Sequence, residues 1–113
     1  MKWSSVTGYF LTGAALTNSA PHLIIALTGR RNLTPFGRDS SAQVNLLWSV
    51  INIILGYLFM RFADKRAGAK ANSPAWLLPY EAGTLFWGLF GVLYALRLVK
   101  RASQNERELL TAR

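Results

Sequence analysis

The thirteen Lys and Arg residues and five carboxylates of this chain are confined to short stretches, and the tracts between them are long. From Trp3 to Gly29 there is no Asp, Glu, Lys or Arg, and the same holds from Ser40 to Met60. A third tract, Leu78 to Val99, is interrupted only by Glu81 and Arg97. A helix that crosses about 30 Å of hydrocarbon needs about 20 mostly apolar residues, each rising about 1.5 Å. All three tracts reach that length. The pattern therefore predicts an all-α chain, an integral membrane three-helix bundle forming a single membrane domain over residues 1–113. The expected spans are about 3–28, 40–61 and 78–99, followed by a polar C-terminal tail, 100–113. No segment reads as strand, and no internal repeat is visible.

The first span is read as retained rather than cleaved. Lys2 alone gives a thin positive leader, and Asn18-Ser19-Ala20 lacks the small-x-small form of a cleavage site and is followed by Pro21. Pro21 has no N–H to offer the carbonyl of Thr17, which predicts a kink in the first span. Thr34-Pro35-Phe36-Gly37 is a turn signal in the loop after that span. Ser40 with Gln43 three residues on fits a capping box opening the second span. Taking Pro79 as the first helical residue of the third span puts Glu81 in the first turn, where a carboxylate complements the helix dipole.

Each span carries a face of small or polar residues spaced alternately by three and four. In the first these are Gly8, Thr12, Ala15, Ser19, His22 and Ala26. The second gives Asn45, Ser49, Asn52, Gly56 and Phe59, and the third Glu81, Thr84, Gly88, Gly91 and Ala95. That spacing is the seam of a left-handed helix pair. Small residues on it let backbones approach, and polar ones bond across helices. All three faces are expected to point inward. Chain reversal puts His22 near the depth of Asn45 and Ser49, and Asn18 near Asn52. Glu81 falls toward the opposite surface, out of reach of His22.

These residues define the candidate site: an intramembrane polar stripe of Asn18, His22, Asn45, Ser49 and Asn52, with Glu81 as an interfacial or intramembrane carboxylate. Two readings compete for the stripe, a solvated path for a small solute, ion or protons, and interhelical hydrogen-bond glue. Arg30, Arg31, Lys100 and Arg101 are expected to stop transfer and touch lipid headgroups. The absence of Cys removes disulfides and thiolate sites, and a single His removes a multi-His metal site within one chain. No metal or cofactor is expected. No catalytic residues are assigned, because the two acid–base candidates sit at different depths beside no nucleophile.

The net charge of +8 is read as orientation signal and anionic-lipid contact, not as a nucleic-acid footprint. Lys2, Arg61, Lys65, Arg66 and Lys70 fall on one side, five basic groups against eight on the other. That balance points to the N-terminus out and the C-terminus in, and a bacterial cell membrane is the expected setting. Three helices enclose little volume, so a homo-oligomer or a larger membrane partner is expected besides the lipid bilayer. The leading expectation is an oligomeric transporter or channel-like protein built around the polar stripe. The alternative is a non-transporting accessory or assembly subunit of a larger membrane complex.

Overall fold

A computed structural model describes residues 1–112. Three helices dominate it: α1 (Trp3–Leu27), α2 (Ala42–Ala67) and α3 (Leu77–Thr111). Each is long and apolar enough to cross a membrane. Helix α1 lies between the other two. It packs along most of α2 and against the first part of α3, while α2 and α3 have almost no direct contact.

Small residues set how closely α1 is approached. A Cβ on Gly8 would sit 2.8 Å from the Ala63 Cβ, and one on Gly56 would sit 2.7 Å from a Leu16 methyl. The α1–α3 crossing is tighter and involves backbone. A Cβ on Gly13 would strike the Tyr80 carbonyl oxygen, and one on Gly83 the Phe10 carbonyl oxygen. Phe10 and Phe86 flank the crossing with ring centroids 5.7 Å apart. Past it α3 diverges, and nothing lies within 4 Å of a Cβ built on Gly88 or Gly91.

Between α1 and α2 the chain forms a short antiparallel hairpin where no strand was expected. Its strands are β1 (Asn32–Thr34) and β2 (Gly37–Ser40), paired Asn32 to Ser40 and Thr34 to Gly37 with a register shift between the pairs. Thr34-Pro35-Phe36-Gly37 makes the reversal. The Thr34 hydroxyl accepts from the Phe36 N–H at 3.1 Å and lies 2.7 Å from the Ser40 hydroxyl, which donates to the Gly37 carbonyl. Arg31 braces the outside, its Nε donating to Asp39 Oδ2 at 3.0 Å and its Nη2 to the Asp39 carbonyl at 2.7 Å. The strands are too short for alternation to show in sequence, and polar side-chain bonds hold them.

Several boundaries also move. Because Ser40 is spent in the hairpin, Ser41 rather than Ser40 caps α2, accepting from the Val44 N–H at 3.2 Å. Helix α2 continues past Arg61 to Ala67 and stops at Gly68, whose φ of 59° suits a residue without a Cβ. Lys65 and Arg66 occupy its last turn, where cations complement the dipole. Two 3-10 turns, Gly68–Asn72 and Pro74–Trp76, lead into α3. Pro79 is therefore the third residue of that helix and not its first. Glu81 lies beyond the opening turn and is exposed, so the expected dipole contact is absent. The stretch from Lys100 to Thr111 continues α3 without a break.

Candidate functional site

The α1–α2 seam runs from the hairpin at one end to the 3-10 turns at the other. Its chemistry changes along the way. Nearest the hairpin, His22 Nδ1 lies 2.7 Å from Asn45 Oδ1. The Asn45 amide is oriented by its other contacts, since Nδ2 donates to the carbonyls of Ser40 at 3.1 Å and Ser41 at 3.0 Å, with Asn32 at 3.4 Å. Its oxygen must then face the ring, so His22 Nδ1 carries the proton that is donated. Asn45 is fully buried and His22 is 8% exposed. The ring's Nε2 makes no bond within the described residues.

One turn further, the Ser49 hydroxyl donates to the Ser19 carbonyl at 3.0 Å, and the Ser19 hydroxyl donates to Leu16 at 2.6 Å. At mid-seam, Asn18 Nδ2 donates to Asn52 Oδ1 at 3.2 Å, while Asn52 Nδ2 donates to the Trp48 carbonyl at 2.8 Å. The pairings follow from antiparallel packing of two faces with the same three-and-four spacing. All five residues of the sequence-derived stripe meet in one row, and Glu81 is not among them. Bonds to neighbouring carbonyls and amides hold the row, and among the described residues only Asn18 Oδ1 and His22 Nε2 in it have no partner. Among the described residues, the one buried side-chain polar atom without a partner is Ser5 Oγ, outside it.

The far end of the seam holds a feature that sequence reasoning missed. Tyr9 is fully buried, and its hydroxyl donates to Asp64 Oδ1 at 2.7 Å. Trp76 and Tyr80 continue the cluster, with Tyr9–Trp76 centroids 6.1 Å apart and Trp76–Tyr80 edge to face at 5.6 Å. A second span ending at Arg61 puts Asp64 in a loop, whereas α2 runs on to Ala67 and carries Asp64 on its last turns. Asp64 lies three residues past Arg61, and Tyr9 follows Ser5 and precedes Thr12 on the inward face. That spacing was the available signal.

The inward face of α3 differs from the expected Glu81, Thr84, Gly88, Gly91 and Ala95. Pro79 and Gly83 are its buried residues, with Tyr80, Thr84 and Trp87 half-buried beside them. Gly91 and Ala95 are exposed, Gly88 borders open space, and Glu81 points away from the bundle. The reason is geometric. The Gly13–Gly83 crossing sets the angle of α3, and α1 has already given its longer polar face to α2. Arg30, Arg31, Lys100 and Arg101 are all exposed. Arg31 is bonded to Asp39 in the one salt bridge among the described residues. No group of three or more His, Asp or Glu side chains that could hold a metal ion occurs among them.

No family model matches the chain, and no curated protein or solved structure matches it significantly.

Proposed function

We propose that this chain is a three-span integral membrane protein of the assembly or accessory kind, in which the polar seam fastens α1 to α2. One observation carries the proposal: the interior is polar and the exterior apolar. The buried set consists mainly of Ser5, Thr12, Ser19, His22, Asn45, Ser49 and Asn52. Leu, Ile, Val and Phe side chains cover the outside of α2 and α3, among them Ile54, Leu58, Phe86, Leu89, Val92 and Leu96. Water penalises such an exterior and hydrocarbon does not. In hydrocarbon, small contact residues and interhelical hydrogen bonds are what hold helices together.

The bonding of the α2 side of the seam favours glue over a path. Asn45, Ser49 and Asn52 spend their polar atoms on Asn18, on His22 or on backbone, and a conduit needs groups free to exchange with a solute. Arg30 and Arg31 on one side, and Lys100 and Arg101 along α3, suit anionic headgroups. The excess of basic residues on the first-loop and C-terminal side supports the N-terminus out. A bend at Pro21 belongs to the same proposal, since the Thr17 carbonyl loses its helical donor there.

A transporter or channel-like role is the second reading, and the unbonded His22 Nε2 favours it. The substitutions His22→Ala, Asn18→Leu and Asn52→Leu separate the two. Under the assembly reading each lowers the stability of the α1–α2 pairing, measured by unfolding in detergent, before any flux phenotype appears. Intact pairing with lost solute or proton flux in vesicles overturns it. Resistance to carbonate extraction tests membrane insertion itself.

A further inference from the structure

From Leu89 onward every described residue of α3 is exposed, yet α3 continues as one helix to Thr111. Gly88, Gly91, Ala95, Leu98, Ala102, Asn105 and Leu109 follow each other at alternate intervals of three and four. This is one heptad seam, with Gly88, Ala95, Ala102 and Leu109 at a and Gly91, Leu98 and Asn105 at d. It begins where the contact with α1 ends. We propose that a second copy of this chain covers the seam, forming a parallel, left-handed pair of α3 helices.

Three features argue for a second copy over lipid. The first is the division of side chains. Between Gly88 and Leu98 the bulky Leu89, Phe90, Val92, Leu93 and Leu96 lie off the seam, while Gly, Gly and Ala lie on it. That arrangement admits another backbone and leaves the large groups for lipid. Second, the helix does not stop where the apolar tract stops. The last turns, from Lys100 to Thr111, form a helix of about a dozen residues with no intrachain support, a length that is marginal alone in water. Leu109 is 70% exposed there, beyond the apolar tract. A partner helix supplies the missing burial.

The third feature is charge. In the same heptad frame Arg101 is at g and Glu106 at the following e, the two positions that meet across a parallel pair. Neither has an ion-pair partner within the described residues. In register, Arg101 of each copy faces Glu106 of the other, and the two Asn105 amides lie side by side, a contact that fixes register. Parallel pairing also follows from insertion, since copies sharing one orientation bring their α3 helices together the same way round. The inference thus rests on the membrane reading and corrects where the oligomer contact lies. The polar stripes of α1 and α2 are closed on each other, and α3 holds the free face.

The natural chain has no Cys, so single substitutions report proximity cleanly. Full-length A95C, A102C, L93C and K100C proteins are placed in phosphatidylcholine–phosphatidylglycerol vesicles and oxidised with copper phenanthroline. The seam variants A95C and A102C are expected to give roughly tenfold more covalent dimer than L93C and K100C on the outer face, because a disulfide tolerates only a short Cα separation. In sedimentation or energy-transfer measurements, R101E and E106R each weaken the dimer roughly tenfold, and the double reversal R101E/E106R restores it. Equal cross-linking at all four positions, or no recovery in the double reversal, overturns the pairing. Carbonate extraction of the same vesicles separates the two claims. Protein retained without the cross-linking pattern refutes the α3 pair alone, and protein stripped from the vesicles refutes the membrane reading beneath it.

Discussion

The two interfaces made by α1 work by different physics. Toward α2 it presents a long face on which Tyr9, Ser19, Asn18 and His22 bond in turn to Asp64, Ser49, Asn52 and Asn45. Toward α3 it offers one close crossing, where Gly13 and Gly83 let backbone meet backbone. The first interface is distributed and directional, so losing one bond leaves the others in place. The second is concentrated and steric, so one added carbon acts on all of it. This contrast explains why α3 is free along most of its length while α2 is not.

The largest effect is expected from breaking the steric side. G83V or G13V drives a side chain into a carbonyl of the facing helix, and neither backbone can yield as a flexible side chain would. The expected loss is about 3 kcal/mol of α3 docking. It is measured as disappearance of the disulfide between F10C and F86C, placed where the two rings now meet. Survival of that cross-link in G83V would mean the crossing is looser than its geometry requires. Next comes N45A on the directional side. It leaves the His22 Nδ1 proton unpaired and removes a donor shared among the hairpin and α2 carbonyls. A loss of about 2 kcal/mol in detergent unfolding is expected, with α1–α3 cross-linking unchanged. The smallest effect belongs to the Asn18–Asn52 bond. A double-mutant cycle of N18L and N52L is expected to give a coupling of about 0.6 kcal/mol, the usual scale for one hydrogen bond between membrane helices. A coupling several times larger would erase the contrast, because one bond would then dominate an interface described as shared.

Sequence patterning identified the α1–α2 face well because two independent regularities agreed there. His22, Ser19 and Ala15 recur at helical spacing on one segment, and Asn45, Ser49 and Asn52 do so on the next. The hairpin of β1 and β2 brings them together antiparallel. Depth matching then followed from residue counting, and His22 meets Asn45 as Asn18 meets Asn52. The same logic failed for α3. A three-and-four stripe says that a helix has a seam, and nothing in the stripe says which helix fills it. Gly88, Gly91 and Ala95 are as regular as the others and still face outward. The Tyr9–Asp64 pair was hidden for a different reason: a charge after an apolar tract marks the end of the hydrophobic stretch, not the end of the helix.

The uncharged tracts by themselves determined three long apolar helices and their order, because each is long enough and apolar enough to run as one continuous helix. They also determined a polar α1–α2 face, since its periodicity is written in single residues. Tertiary structure alone decided which face of α3 is covered and how Asn45 is held against His22. That choice turned on where two glycines, Gly13 and Gly83, let backbones cross, and on a hairpin whose side-chain bonds carry Asn45 to His22. Both are contacts between residues far apart in the chain, and a pattern read along one helix holds no information about the angle at which the next arrives.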